Sequence, residues 1–151
     1  MGFRAFSKKL KVGIDQLAKS QSEDALKAAF AGNALMKLRI QERGLNYQGQ
    51  SFPDYSDQYL TYKTEVLGRP VSHVDFTVSG ELMNSVFPRV ASTKFGTVEV
   101  VIASKGRKNE QKLSGFLDKY GNILLFSKEE GREVFRIYAI NRFNRVRNIF
   151  K

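Results

Sequence analysis

Few residues of this 151-residue chain are of the types that catalyse reactions or bind metals. His73 is the only histidine, and there is no cysteine. A serine nucleophile needs a base beside it, and His73 begins a predicted strand, away from any GxSxG turn. Zinc would have to rely mainly on carboxylates, which match its preference for nitrogen and sulfur poorly. The sequence therefore predicts no catalytic residue, no metal and no cofactor.

Two acidic segments superficially match the carboxylates and lysine of a magnesium-dependent nuclease. They are Pro53-Asp54 and Glu110-Gln111-Lys112. Such nucleases hold magnesium with acidic residues on adjoining strands, whereas these segments lie in a predicted loop and at a predicted helix start. The glycines of residues 44–49 lack both the GxGxxG spacing and a Walker lysine. We therefore expect a protein that is not an enzyme.

The net charge of +10 is concentrated at the two ends of the chain. Residues 1–50 hold nine Lys/Arg against four Asp/Glu, residues 51–103 four against six, and residues 104–151 twelve against five. Basic surface can bind nucleic acid or an acidic protein, or serve solubility alone. The candidates for contact with DNA or an acidic partner are Lys105, Arg107, Lys108, Arg142, Arg145 and Arg147.

A small basic nucleic-acid-binding module is one functional hypothesis. The terminal segment NRFNRVRNIFK mixes arginines with aromatic rings, which suits phosphate contact and base stacking. No helix-turn-helix, ribonucleoprotein or zinc-finger pattern accompanies it. Nonspecific contact with DNA is therefore favoured over sequence-specific recognition.

The predicted helices lie at both ends of the chain. Residues 1–43 are expected to form two helices, interrupted at Ser20 to Ser22, where Ser22 caps the second. Gly32-Asn33 is a possible kink, and Gly44 ends the segment. A shorter helix should begin at Ser56, and the pair Ser127 and Glu130 forms a capping box that opens a terminal helix.

The predicted strands lie in the middle of the chain. Residues 73–78 alternate between polar and apolar types, which predicts a half-exposed strand. Residues 81–86 should form a helical turn, and residues 89–93 and 97–103 a hairpin around Lys94-Phe95-Gly96. Residues 104–112 should form a basic loop, followed by a helical segment that ends at Tyr120-Gly121. The expected fold is one α+β domain with parts 1–43, 44–103 and 104–151, and no apolar run long enough to span a membrane.

Two stretches carry a family resemblance. The order GLNYQGQSFPDYSDQYLTYKTEVLG, then VDFTVSGELMNSV, resembles the neck, tail-completion and virion-morphogenesis proteins of tailed bacteriophages. The first stretch matches a "pF.pYS..Y...K" pattern and the second a "vdL..TGeMl.S" turn. Residues 112–130 follow the family's "K..GL..KYGR.iF.LS..E" segment. The resemblance covers about residues 44–135.

The resemblance implies a structural ring subunit at the head-tail junction of the virion, made in the cytoplasm of the host bacterium. It does not separate neck, tail-terminator and tail-completion roles. Its partners would be copies of itself, the neighbouring portal, connector or tail proteins, and packaged DNA. Besides the terminal helix, the expected assembly contacts are Tyr47, Phe52, Tyr55, Tyr59, Glu81 and Met83. From the residues alone, the simpler interpretation of the tyrosines is core and rim packing.

Overall fold

A computed structural model describes residues 3–69, 72–77, 80–94 and 96–150, with side chains from residue 10 onward. The elements in chain order are α1 (Phe3–Arg43), α2 (Asp57–Thr61), a π-helical turn (Tyr62–Val66), α3 (Glu81–Ser85), β1 (Val86–Lys94), β2 (Thr97–Ser104), α4 (Arg107–Tyr120) and α5 (Lys128–Phe150). The predicted α+β class is confirmed. No helix in these ranges is long and apolar enough to cross a membrane.

The helix α1 is continuous, so the predicted break at Ser20 to Ser22 is wrong. The Ser20 hydroxyl donates to the Leu17 carbonyl at 3.1 Å, a bond made within the helix. The Ser22 hydroxyl instead lies 2.9 Å from that of Thr93 in the hairpin. These serines therefore bond without ending the helix, which also runs on through Gly32 and Asn33.

The helix α5 returns antiparallel along α1. Arg39 near the end of α1 pairs with Glu130 at the start of α5, at 2.8 Å. Asp24 in the middle of α1 pairs with Arg145. Gly13 lies under the Phe150 ring, which a Cβ at this position would approach to 2.6 Å. The two long helices therefore form the frame on which the other elements are placed.

The predicted hairpin is confirmed, and β1 is four residues longer than expected and β2 one residue longer. The strands β1 and β2 pair antiparallel from Val86 opposite Ser104 to Lys94 opposite Thr97, with a bulge between Val90 and Ser92. Phe95 of the predicted turn lies outside the described residues. The Asn33 side chain of α1 donates to the Val86 carbonyl at 3.2 Å, which ties the hairpin to the long helix.

The predicted strand at residues 73–78 is wrong: residues 74–77 have no regular structure. Val74 and Phe76 are buried as the alternation suggests, but Asp75 between them is buried too. Phe76 also has a φ of 53°, which an extended strand does not allow. Val78 and Ser79 lie outside the described residues.

Several predicted helix boundaries are confirmed. Gly44 ends α1 with a left-handed φ of 62°, and the Ser56 side chain accepts from the Tyr59 N–H at the start of α2. The capping box is also present: the Glu130 carboxylate accepts from Ser127 N–H at 2.7 Å, and the Ser127 hydroxyl from Glu130 N–H at 3.2 Å. The expected loop at residues 104–112 is shorter, because α4 already begins at Arg107.

Candidate assembly surfaces

The residues that carry the phage resemblance meet around a buried ion pair. The ammonium of Lys63, in the π turn, bonds to the Asp75 carboxylate, and the Lys63 side chain is only 1% exposed. Tyr55 donates its hydroxyl proton to the same Asp75 oxygen at 3.1 Å. The Lys63 nitrogen also lies 5.2 Å from the centre of the Tyr55 ring, within the range of a cation–π contact. The "pF.pYS..Y...K" and "vdL..TGeMl.S" stretches therefore contact each other inside the fold.

The irregular backbone of residues 74–77 is held by Asp75 and Tyr55. The Asp75 carboxylate accepts the Thr77 N–H at 3.1 Å, and the Tyr55 oxygen accepts the Phe76 N–H at 3.0 Å. A positive φ is strained for a residue as large as phenylalanine. These bonds, and edge contacts of the Phe76 ring with Phe52 and Tyr120, stabilise that conformation.

Burial raises the pKa of the Tyr55 hydroxyl, and the neighbouring Asp75 charge raises it further. Tyr55 therefore remains protonated and a hydrogen-bond donor at neutral pH. Burial also raises the pKa of Tyr59. Both hydroxyls are suited to structural hydrogen bonds, and neither is prepared to act as a base at neutral pH.

A row of tyrosines leads from this buried pair to the surface. The Tyr55 and Tyr59 ring centres are 4.7 Å apart, and those of Tyr59 and Tyr62 are 6.3 Å apart. Tyr59 is half-buried, whereas Tyr62 is exposed. The row ends beside Val66, which is 68% exposed. We define the acidic helix face as the four exposed residues Asp57, Tyr62, Glu65 and Val66.

The six predicted assembly residues fall into different environments. Phe52 and Met83 lie in the hydrophobic core, so their prediction as contacts with another subunit is wrong for this structure. Tyr55 is hydrogen-bonded to Asp75, and Tyr59 is half-buried. Tyr47 and Glu81 are exposed.

Tyr47 lines a groove of about 720 Å³ between the end of α1 and the start of α5. Leu35 and Leu38 give the groove an exposed apolar side, and Arg43 and Lys128 contribute positive charge. Glu81 lies elsewhere, 3.9 Å from Lys112 in an exposed ion pair. The structure therefore does not bring the predicted assembly residues together on one surface.

Two of the predicted DNA-facing arginines have acidic partners within the chain. Arg145 binds both carboxylate oxygens of Asp24, at 2.7 and 2.9 Å, and also reaches Glu23. Arg142 donates to Asp24 at 3.3 Å and to the Leu17 carbonyl at 2.9 Å. Asp24 is buried, so this pairing fixes α5 on α1.

The remaining basic candidates are exposed. Lys105 precedes α4, and Arg107 and Lys108 lie in its first turn, while Arg147 lies near the end of α5. Cations at a helix start are disfavoured by the helix dipole, and they add to the positive potential that the dipole produces there. The start of α4 therefore presents three exposed cations, with the exposed acid Glu110 in the same turn.

An exposed apolar row on α5 was not predicted from the sequence, although the terminal helix was expected to contact other subunits. Counting about 100° per residue, five residues fall within an arc of about 80° on the helix. Phe135 is 71% exposed and Phe143 67%, and the other three are also exposed. We call this row the α5 stripe: Phe135, Ala139, Phe143, Val146 and Phe150.

The signal for the α5 stripe was present in the sequence as a second apolar row. Val134 lies close to Gly32 of α1, and Ile149 lies close to Gly13, so the first row is covered by α1. A helix with one neighbour buries only one row. The sequence pattern was not divided into these two rows, so the exposed row was not recognised.

The residues considered for catalysis are also dispersed. The His73 ring bonds to the Gln41 carbonyl through Nε2 at 2.8 Å and to the Ser72 hydroxyl through Nδ1 at 3.2 Å. Among the described residues, no group of three or more His, Asp or Glu side chains could hold a metal ion.

No protein-family model, curated protein or solved structure matches the chain.

Proposed function

We propose that the protein is a structural subunit of a tailed-bacteriophage virion, acting at the head-tail junction by assembly into a ring. The observation that carries the proposal is the Lys63–Asp75 pair. The two patterns that resemble the phage family are separate in sequence, yet one member of each meets the other in a buried contact. Such a contact is expected if both patterns belong to one fold.

The exposed apolar surface supports an assembly role. Large apolar side chains scattered singly on a surface need no explanation, whereas a contiguous row is typical of an interaction site. The α5 stripe is such a surface, and the acidic helix face exposes Tyr62 and Val66 beside its two acids, on a chain of only 17.2 kDa. A structural subunit that contacts several neighbours needs more than one interaction surface.

The test is deletion of the gene in a phage that encodes it. A neck or tail-completion role predicts DNA-filled heads and separate tails, visible by electron microscopy, and restoration of joined particles by the gene in trans. A tail-terminator role predicts tails of abnormal length. Mass spectrometry of purified virions should detect the protein in several copies. Normal infectious particles without the protein would refute the proposal.

A nucleic-acid-binding role has one specific observation in its favour, the exposed cations Lys105, Arg107 and Lys108 at the start of α4. In a head-tail junction the same surface could face packaged DNA. A free DNA-binding module would instead bind DNA tightly as a monomer, with a steep loss of affinity as salt rises. Its gene deletion would leave joined particles intact.

A further inference from the structure

The α5 stripe carries positive charge along its margins. The exposed charges on α5 are the cations Lys128, Arg132, Arg136 and Arg147 and the acid Glu129, and Arg136 pairs with Glu133 at i,i+3, so cations outnumber acids. Two copies that met stripe to stripe would bring these arginines together, and like charges at an interface disfavour that pairing. The charge therefore argues for a different surface as the partner of the stripe.

The acidic helix face has the complementary properties. Asp57 and Glu65 are exposed beside Tyr62 and Val66, and Asp54 is exposed just before α2. Lys63 in the same turn is buried and paired, so its charge does not offset these acids at the surface. Arg69 is the one exposed lysine or arginine in the described part of residues 44–77.

The two surfaces lie on different parts of the molecule, because the stripe runs along α1 from the level of Gly32, beside Val134, to Gly13, under Phe150. The end of α5 packs on the first half of α1, since Phe150 covers Gly13 and Arg145 binds Asp24. The segment that carries the acidic helix face is fixed to the other end of α1, where Phe52 N–H donates to the Gly44 carbonyl at 3.1 Å. Along α1, residue 44 is about 45 Å from Gly13, at the Phe150 end of the stripe, and about 18 Å from Gly32, at the Phe135 end.

We propose that the α5 stripe of one copy binds the acidic helix face of the next copy. The contact buries Phe135, Phe143 and Val146 against Tyr62 and Val66, with arginines facing acids at its rim. Because it joins two different surfaces, it is a head-to-tail contact, which closes into a ring or continues as a filament. This inference rests on the proposed ring assembly and names the surfaces that form it.

Two double variants test the contact. Phe135→Ser with Phe143→Ser removes the stripe, and Tyr62→Ser with Val66→Ser removes the acidic helix face. Phe30→Ser is the matched control, since Phe30 is also an exposed phenylalanine on a long helix. Circular dichroism establishes that each purified full-length variant is folded, and sedimentation velocity and light scattering measure its mass.

The wild-type chain and Phe30→Ser should form oligomers, and each double variant alone should associate at least about 30-fold more weakly, as loss of interface anchors does. A mixture of the two double variants should form a 1:1 heterodimer and stop there. Each variant keeps one intact surface, so the single remaining contact cannot continue the chain. The expected mass is twice 17.2 kDa.

Several results would overturn the inference. A stripe-to-stripe contact would let the acidic-face variant dimerise alone, with no heterodimer in the mixture. A wild-type chain that remains monomeric at concentrations on the order of 0.1 mM would exclude a stable contact between copies. Binding of the stripe only to DNA or to another virion protein would also refute it. The gene-deletion experiment tests the proposed function independently of this contact, so failure of the function and failure of the contact can be told apart.

Charge reversal provides a second test if the serine variants do not fold. Arg132→Glu with Arg147→Glu, and Asp57→Lys with Glu65→Lys, change only exposed side chains. Each reversed variant alone should associate more weakly, and one chain carrying all four changes should regain association. If the chain with all four changes associates no more strongly than either charge-reversed variant, the proposed pairing of the two surfaces is wrong.

Discussion

Replacing Lys63 with methionine should destabilise the protein strongly. Methionine nearly preserves the length of the side chain but leaves the Asp75 carboxylate without its cation in a buried site. Breaking a buried ion pair by removal of one partner costs about 3–5 kcal/mol. Asp75 keeps two donors, Tyr55 O–H and Thr77 N–H, each at 3.1 Å, so we expect the lower end of that range. About 3 kcal/mol lowers Tm by roughly 6–12 °C in a domain of this size.

The measurement is urea unfolding followed by far-UV circular dichroism, because the chain has no tryptophan to report by fluorescence. The slope with urea should match the wild type if only stability has changed. Lys112→Met is the matched control. Its ion pair with Glu81 is exposed and 3.9 Å long, so the free energy of unfolding should change by less than about 0.5 kcal/mol.

A double variant separates the charge effect from packing. In Lys63→Met with Asp75→Asn, no charge is buried, and the asparagine oxygen can still accept from Tyr55 and Thr77. Its stability should therefore exceed that of Lys63→Met alone. A cost below about 1 kcal/mol for Lys63→Met, or a double variant less stable than the single one, would refute the assignment of Lys63–Asp75 as a pair that holds this segment.

Three further changes have defined outcomes. Because the pKa of Tyr55 is raised in the folded protein, the unfolded chain loses this proton first as the pH rises, so the free energy of unfolding should fall above about pH 10. Urea titrations from pH 9 to 11 should show a shallower fall for Tyr55→Phe than for the wild type. An equal fall in the two proteins would contradict the raised pKa of Tyr55. Glu130→Gln removes the charge opposite buried Arg39 and weakens the capping box. The free energy of unfolding should fall by about 3 kcal/mol in the same urea assay. A fall below about 1 kcal/mol would contradict a stabilising role for the Arg39–Glu130 pair. Changing Lys105, Arg107 and Lys108 to alanine should weaken the salt dependence of binding to duplex DNA. The slope of log affinity against log salt, with affinity measured by fluorescence anisotropy, should fall in magnitude by up to about 2.7. An unchanged slope would show that DNA does not contact the start of α4.

The features that the sequence predicted correctly depend on local signals. The hairpin follows from two β-rich runs around a turn with glycine last, and the capping box is set by Ser127 and Glu130 alone. Gly44 ends α1 because a left-handed residue is cheapest for glycine. In each case the residues that decide the structure are close in sequence.

The predictions that failed depend on contacts between distant residues. Ser22 was expected to cap a new helix, which would place Asp24 in its first turn, but Arg142 and Arg145 of α5 bind Asp24 in the interior of α1. The alternation at residues 73–78 predicted a strand because nothing local indicated that Lys63 would draw Asp75 into the interior. Hydrophobic periodicity reports which side chains are apolar, and it cannot identify a buried charge that a remote partner neutralises.

The positions of the resembling residues change what they imply about assembly. Phe52, Tyr55, Lys63 and Asp75 lie inside or at the edge of the core, so they cannot themselves select a partner. They do fix the π turn, whose inner side carries Lys63 and whose outer side carries Tyr62, Glu65 and Val66. The buried pair thereby determines where the acidic helix face is presented. If that face is an assembly contact, the buried pair contributes to recognition by orienting it, and specificity depends on the exposed residues of the face.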